Sequence, residues 1–306
     1  ARRVGDIRQR LGQTDQAEQE YLRAIARLDA LRATPDGSDQ VRIELARCYN
    51  ELGNVRFGRF EPQAAYDAHR EALRSLEAAP GQSPSEECRY ELARTCFLLA
   101  GRLPGHSLSA RDRREHRSEE RPARSEREYR ARAIGLLERL VEENPAAADY
   151  RFLLALCHRP LGPAPTMSSH ATSDRRRALD ILQSLKSQYP QVADYRYELA
   201  ATHAWVHVGL FPWQERSADL PETEQALRKA LDETQWLVDN NPTIPHFARS
   251  RALILAKLGA VCAEAGRAEE AAARFEQALH AQSALIERFP SVPAHDRVLV
   301  EFFRYR

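Results

Sequence analysis

The chain has 306 residues, of which 29% are charged, and its formal net charge is +1 at pH 7. A balanced charge gives no strong overall field that would favour nucleic acid or a membrane surface. No apolar run approaches the ~18 residues that a membrane-spanning helix requires. The composition therefore argues against a membrane protein and makes nucleic acid an unlikely partner.

Helical periodicity, with proline and glycine as breakers, predicts a series of helix pairs along the whole chain. The predicted helices cover 2–11, 15–31, 39–57, 62–79, 85–103, 125–144, 148–159, 174–188, 193–209 and 221–240, followed by a regular pair around 258–279 and a last helix at 293–305. The spacing predicts an all-α, right-handed solenoid of about six helix-turn-helix repeats plus a terminal helix. We expect residues 1–306 to form this solenoid as one domain.

The stretch from Leu258 to Leu279 has the most regular spacing. Gly259 allows two helices to cross closely, Gly266 suits a turn after the first helix, and Phe275 fills the gap between the helices. The repeat positions are Leu258, Gly259, Cys262, Gly266, Ala268, Ala271, Phe275, Ala278 and Leu279, and the same offsets recur at Val4, Gly5, Arg8, Gly12, Thr14, Ala17, Tyr21 and Ala24. This pattern resembles the tetratricopeptide repeat.

The small alanine of the second helix recurs at longer intervals than that family's usual period of ~34 residues. From Ala24 to Ala278 the intervals are 48, 61, 45, 52 and 48 residues. Such long repeats resemble those of kinesin light chains and of the repeat regions fused to bacterial Ser/Thr kinases. A proline also ends four of the second helices, followed five residues later by an aromatic residue or a histidine: Pro145 and Tyr150, Pro190 and Tyr195, Pro242 and Phe247, Pro290 and His295.

Two insertions interrupt the repeats, at 104–124 and 161–173. Residues 111–132 contain nine arginines and six acidic residues. Alternating signs favour a solvated loop or a frayed helix over a phosphate-binding arm, although nucleic-acid binding through this segment stays an alternative. We expect the first insertion to be mobile.

The five cysteines, Cys48, Cys88, Cys96, Cys157 and Cys262, form no CxxC motif and lie on predicted first helices. They are predicted to be small buried thiols in a reducing compartment, which favours a cytoplasmic protein. No signal peptide is visible. The chain begins close to the first repeat without an initiator Met, so we expect it to be a fragment of a longer protein.

No nucleotide-binding, nucleophile or metalloprotease motif occurs, so we expect no cofactor and no enzyme activity in this chain. His203 and His207 share one helix face at i and i+4, which would suit a metal ion. A structural zinc requires four ligands, and no third is apparent. The pair is therefore predicted to be structural, with a metal or enzyme site there as the alternative.

The resemblance implies a concave groove, lined by the first helices, that binds a peptide or a partner helix. By register, the side chains expected in this groove are those of Asp6, Arg47, Asn50, Asn54, Arg94, Phe97 and Arg159. Asn can donate to and accept from a peptide backbone, and Arg can hold a carboxylate. The predicted function is a non-catalytic interaction or scaffolding module that binds another protein, as a regulatory part of a bacterial signalling protein such as a Ser/Thr kinase.

Overall fold

The computed structural model of the chain describes residues 1–11, 13–32, 39–77, 84–101, 120–159, 169–204 and 219–288. These residues contain twelve helices and no strand, which confirms the all-α prediction. The helices are α1 (Arg2–Arg10), α2 (Thr14–Arg32), α3 (Asp39–Gly58), α4 (Pro62–Glu77), α5 (Glu86–Gly101), α6 (Glu120–Glu143), α7 (Ala148–His158), α8 (Ser169–Gln188), α9 (Ala193–Ala204), α10 (Leu220–Asn240), α11 (Pro245–Glu264) and α12 (Ala268–Arg288).

The chain divides into two compact units, Ala1–Cys157 and His158–Arg306. In the first unit, α1 packs on α2, α3 on α4 and α5 on α6, and the first helices α1, α3 and α5 also contact one another in order. In the second unit, α9 packs on α8 and α10, and α11 packs on α10 and α12. That residues 1–306 form one solenoid domain stays a prediction.

The observed helices match the predicted ones closely, with two earlier starts. The helix α6 begins at Glu120 rather than near 125, and α8 begins at Ser169 rather than at 174. Pro122 lies in the first turn of α6, where a helix does not need the missing N–H, so it does not delay the start. The rest of both insertions (104–119 and 161–168), the predicted end of the fifth first helix with His207, and the predicted helix 293–305 lie outside the described residues.

Three glycines let a ring from the second helix lie directly on the first helix. A Cβ added at Gly5 would lie 2.6 Å from Tyr21 Cε1, and one added at Gly259 would lie 2.9 Å from Phe275 Cε1. A Cβ added at Gly53 would lie 2.4 Å from Cε1 of His69, which occupies the same position 16 residues after its glycine. The expected close crossing at Gly259 is confirmed, and Gly266 has the positive φ (75°) that its turn requires.

Two arginines bind the carbonyl end of a first helix from the preceding second helix. Arg130 Nε donates to the Cys157 carbonyl oxygen at 2.6 Å, and Arg175 Nε donates to the Thr202 carbonyl oxygen at 3.2 Å. Each lies three residues before the repeat's alanine (Ala133 or Ala178), where the glycine-containing hairpins carry Tyr21, His69 and Phe275. A cation is favourable at a helix C-terminus because the last carbonyl groups carry partial negative charge.

All five cysteines are buried and free, as predicted. Within the described part of the chain, no helix combines the length and the apolarity needed to cross a membrane.

Candidate partner-binding site

Four of the predicted groove residues lie on one surface of the first unit. Asp6 is on α1, Arg47 and Asn54 are on α3, and Arg94 is on α5. We call this surface the first-helix face and define it by these four residues together with Arg2, Gln9, Glu44, Glu51, Glu87 and Glu91, which are joined to them by the contacts below.

The face begins with an ion-pair chain between α1 and α3. Arg2 Nη1 lies 3.1 Å from Asp6 Oδ2, and Arg2 Nε lies 2.8 Å from Glu44 Oε2 on the next first helix. Arg47 Nη1 lies 2.9 Å from Glu44 Oε1. Glu44 therefore joins an arginine from each of the two helices.

The chain continues from α3 to α5. Arg47 Nη2 lies 2.8 Å from Glu87 Oε1, and Arg47 Nε lies 3.5 Å from Glu91 Oε1. Arg94 pairs with the same Glu91 oxygen at 3.1 Å and with Glu51. Glu44 and Glu91 thus link Arg2, Arg47 and Arg94 into one network, which also includes Asp6, Glu51 and Glu87. We expected the arginines to hold a ligand carboxylate, but the structure shows them already bound to carboxylates of this chain.

The network shifts the pKa values of Glu44 and Arg94. Burial alone would raise the pKa of Glu44, but hydrogen bonds from Arg2 and Arg47 outweigh it and lower that pKa. Burial alone would lower the pKa of Arg94, but the charges of Glu91 and Glu51 outweigh it and raise that pKa. Glu44 and Arg94 are consequently both ionised at neutral pH.

A cavity of about 350 Å³ opens on the face between α1 and α3, lined by Arg2, Asp6, Gln9 and Glu51. The Tyr21 hydroxyl oxygen lies 2.9 Å from Asp6 Oδ1 and 2.8 Å from Gln9 Oε1. A hydroxyl has one proton, so it can satisfy only one of these two oxygens. Burial, and then the hydrogen bond to Asp6, raise the pKa of Tyr21, so the hydroxyl keeps its proton.

Asn50 is not on the accessible surface where the repeat register placed it. Its exposed fraction is 0%, and its Nδ2 donates to Thr95 Oγ1 at 2.8 Å. Its Oδ1 lies 3.2 Å from His69 Nδ1, and because an amide oxygen only accepts, that histidine nitrogen is the donor. Asn50 therefore ties α3 to α4 and α5, and we leave it out of the proposed binding surface. The repeat register of Asn50 alone does not reveal that the buried Thr95 is its hydrogen-bond partner.

Two further candidates lie elsewhere. Phe97 is half-buried on α5, one turn beyond Arg94. Arg159 belongs to the second unit, where it pairs with Glu198 of α9. Neither is connected by a described contact to the first-helix face.

Apart from Asp6, the carboxylates of the face were not predicted, although the sequence carries a signal for Glu44 and Glu91. The four residues Glu-Leu-Ala-Arg occur twice, at 44–47 and at 91–94, and both copies form the same i, i+3 ion pair. A repeated pair at matching positions of two first helices predicts a charge ladder. The predicted groove included only the arginine of each pair.

His203 lies half-buried at the end of α9, and the predicted second histidine lies outside the described residues. Burial, followed by the charges of Arg175 and Lys229, lowers the pKa of His203 to about 4. Lys257 donates to the Ala204 carbonyl oxygen at 2.7 Å, and burial lowers its pKa to about 8. Among the described residues, no group of three or more His, Cys, Asp or Glu side chains is arranged to hold a metal ion.

No protein-family model matches the chain, and no curated protein matches it significantly. Among solved structures, BtubC (BKLC) from P. vanneervenii aligns with 89% of this chain and 92% of its own, at 19% identity and a TM-score of 0.53. The fold is of the tetratricopeptide type. This follows from the shared architecture and from the helix hairpins closed by a ring on a glycine, and it agrees with the predicted fold class.

Two structures titled as tetratricopeptide proteins also align at lower similarity. TTC0263 from Thermus thermophilus covers 84% of this chain and 98% of its own, at 14% identity and a TM-score of 0.46. YrrB, described as having an unusual peptide-binding site, covers 82% of this chain and 89% of its own, at 16% identity and a TM-score of 0.34.

Proposed function

We propose that this chain is a non-catalytic scaffold whose first unit captures a polypeptide segment of another protein on the first-helix face. The observation that carries the proposal is the arrangement of that face: partly exposed polar side chains from three successive first helices are held in fixed positions beside an open cavity. Side chains fixed by their neighbours lose little further freedom on binding, which favours affinity.

The dimensions of the face also suit a chain-like ligand. It extends over three consecutive helices, and helices pack about 8–10 Å apart, so its length is on the order of 20 Å. An extended polypeptide covers that distance with roughly six or seven residues. A segment of this length could contact the cavity and the network of α5 together.

The resemblance to repeats fused to kinases supports a further proposal, that the chain acts in the cytoplasm as a regulatory part of a larger signalling protein. The sequence encoded on either side of these 306 residues tests it. A flanking kinase domain would support the proposal, and neighbouring sequence without any catalytic or receiver domain would contradict it.

The binding proposal can be tested by selection from a random peptide library displayed on phage. Peptides about 12 residues long are sufficient to span the face. Each enriched peptide is then synthesised, and its affinity is measured for the wild type and for Gln9→Trp, which places a large ring in the cavity. The matched control is Gln277→Trp, at an exposed position of α12 in the second unit.

We expect Gln9→Trp to weaken binding at least about tenfold, equivalent to ~1.4 kcal/mol, and Gln277→Trp to leave it unchanged. Failure to enrich any peptide above the bare support would contradict the proposal. So would equal affinities for the two tryptophan variants.

A further inference from the structure

The first-helix face carries more negative than positive charge. Its network contains the carboxylates of Asp6, Glu44, Glu51, Glu87 and Glu91 against the guanidinium groups of Arg2, Arg47 and Arg94. Glu87 has the most exposed side chain of the network, with an exposed fraction of 45%, and its recorded partner is the shared Arg47. A ligand approaching this face therefore meets an excess of two negative charges.

Acceptor atoms on the face are also left without donors. Glu91 is only 2% exposed, and its Oε2 has no hydrogen-bond donor among the described residues, although its Oε1 faces Arg47 and Arg94. Asn54 Oδ1 is likewise buried without a donor in the described part of the chain, while its Nδ2 donates to Glu51 at 3.0 Å. A buried acceptor without a donor is costly, so such atoms are usually satisfied by a ligand or by water.

The cavity repeats the same imbalance. The single proton of Tyr21 leaves either Asp6 Oδ1 or Gln9 Oε1 without a donor from that hydroxyl, and Glu51 adds another carboxylate to the wall. Acceptors in excess therefore occur on α1, α3 and α5 alike. The face therefore lacks hydrogen-bond donors, in particular positively charged ones.

We infer that the polypeptide segment bound on the first-helix face is basic, with lysine or arginine side chains that reach the cavity and the Glu51 and Glu87 carboxylates. This inference rests on the proposed function and names its ligand class. Lys and Arg offer three and five N–H donors and accept nothing, which matches a surface of spare acceptors. Charge complementarity of this kind also steers association and excludes acidic competitors.

A bound metal ion would fit this face less well than a basic segment. A calcium ion takes six to eight oxygen ligands that converge on one point. Here the carboxylates are spread over three helices, and guanidinium groups lie between them. No cluster of side chains suited to a metal occurs in the described part of the chain. Separate N–H donors along an extended segment can reach such dispersed acceptors individually.

The test uses the library-selected peptides whose binding is lost in Gln9→Trp. We expect their mean net charge to be positive and their affinity to fall as NaCl is raised from about 50 to about 300 mM, because exposed charge contacts are screened by salt. Enriched peptides that are neutral or acidic on average would refute the inference while leaving the binding proposal intact. A library that yields no such peptides would instead refute the binding proposal.

Variants of the face then locate the charge contacts. Glu51→Gln combined with Glu87→Gln should weaken binding of the basic peptides about fivefold, through the loss of two partly exposed charge contacts of modest strength. The matched control, Glu269→Gln with Glu276→Gln, removes two exposed carboxylates from α12 in the second unit. An equal loss of peptide affinity in both double variants would mean that the peptides respond to the overall charge of the chain rather than to this face, and it would overturn the inference. If the first double variant unfolds, the single variant Glu87→Gln replaces it, because Glu87 is exposed. An affinity of Glu87→Gln equal to that of the wild type would also overturn the inference.

Discussion

Replacing Gly53 by alanine should destabilise the chain much more than the same change at Gly58, although both glycines are in α3. The added Cβ at Gly53 would lie 2.4 Å from His69 Cε1 and 2.7 Å from its Nε2. At Gly58 nothing described lies within 4 Å of the added atom. The two variants therefore share the gain in helix propensity and differ in what the methyl group meets.

The magnitude follows from three contributions at Gly53. Alanine favours a helix over glycine by about 1 kcal/mol. Overpacking a filled site costs roughly 1–3 kcal/mol, and His69 cannot withdraw without losing its buried hydrogen bond to Asn50, which costs about 1–3 kcal/mol. We expect Gly53→Ala to lower the free energy of unfolding by about 3 kcal/mol, and Gly58→Ala to leave it unchanged or raise it by up to ~1 kcal/mol.

Urea unfolding followed by circular dichroism measures both free energies, and hydrogen exchange of α3 and α4 reports whether the loss is local. Gly259→Ala provides a graded comparison, because Phe275 is 37% exposed and can tilt away from the new methyl group. We expect its effect to fall between the other two. A Gly53→Ala chain as stable as Gly58→Ala would refute the view that His69 is fixed in place.

Three further predictions concern the second unit. Lys257→Met should raise the free energy of unfolding at pH 7, measured in urea, by about 1–2 kcal/mol net of the lost hydrogen bond to Ala204, because burial holds the pKa of Lys257 near 8 rather than 10.5. That charge costs stability in full below pH 8 and progressively less up to 10.5, so a gain that did not shrink toward about pH 10 would contradict the assignment. His203, with its pKa lowered to about 4, makes the wild type lose stability as pH falls from 6.5 to 4, and His203→Gln should lose less over the same interval in the same assay. Arg175→Met should speed hydrogen exchange at the end of α9, whereas unchanged exchange there would mean that its bonds to the carbonyl groups do not hold that end of the helix.

The sequence predicted the helices well because proline or glycine residues mark many of their boundaries. It also placed the ring on Gly259 correctly, since the repeat spacing specifies that contact. It did not predict the burial of Asn50, because the same repeat position can face the groove or contact the next first helix. The hydrogen bond to Thr95 shows that Asn50 contacts the next first helix. Nor did the sequence show that Arg47 and Arg94 are bound by carboxylates, since those contacts include ones that cross between separate first helices far apart in sequence.

The residue three positions before the repeat's alanine is a ring in some hairpins and an arginine in others. This choice determines whether the residue stabilises its own hairpin or the contact with the next one. The Tyr21 ring contacts a glycine 16 residues earlier, inside its own hairpin, so it adds to the intrinsic stability of one repeat. Arg130 instead bonds to Cys157, 27 residues later, so it adds to the coupling between neighbouring repeats. In a linear array, coupling of this second kind sets how far unfolding spreads from one repeat to the next. The bond from Arg130 should consequently help α6 and α7 to open together.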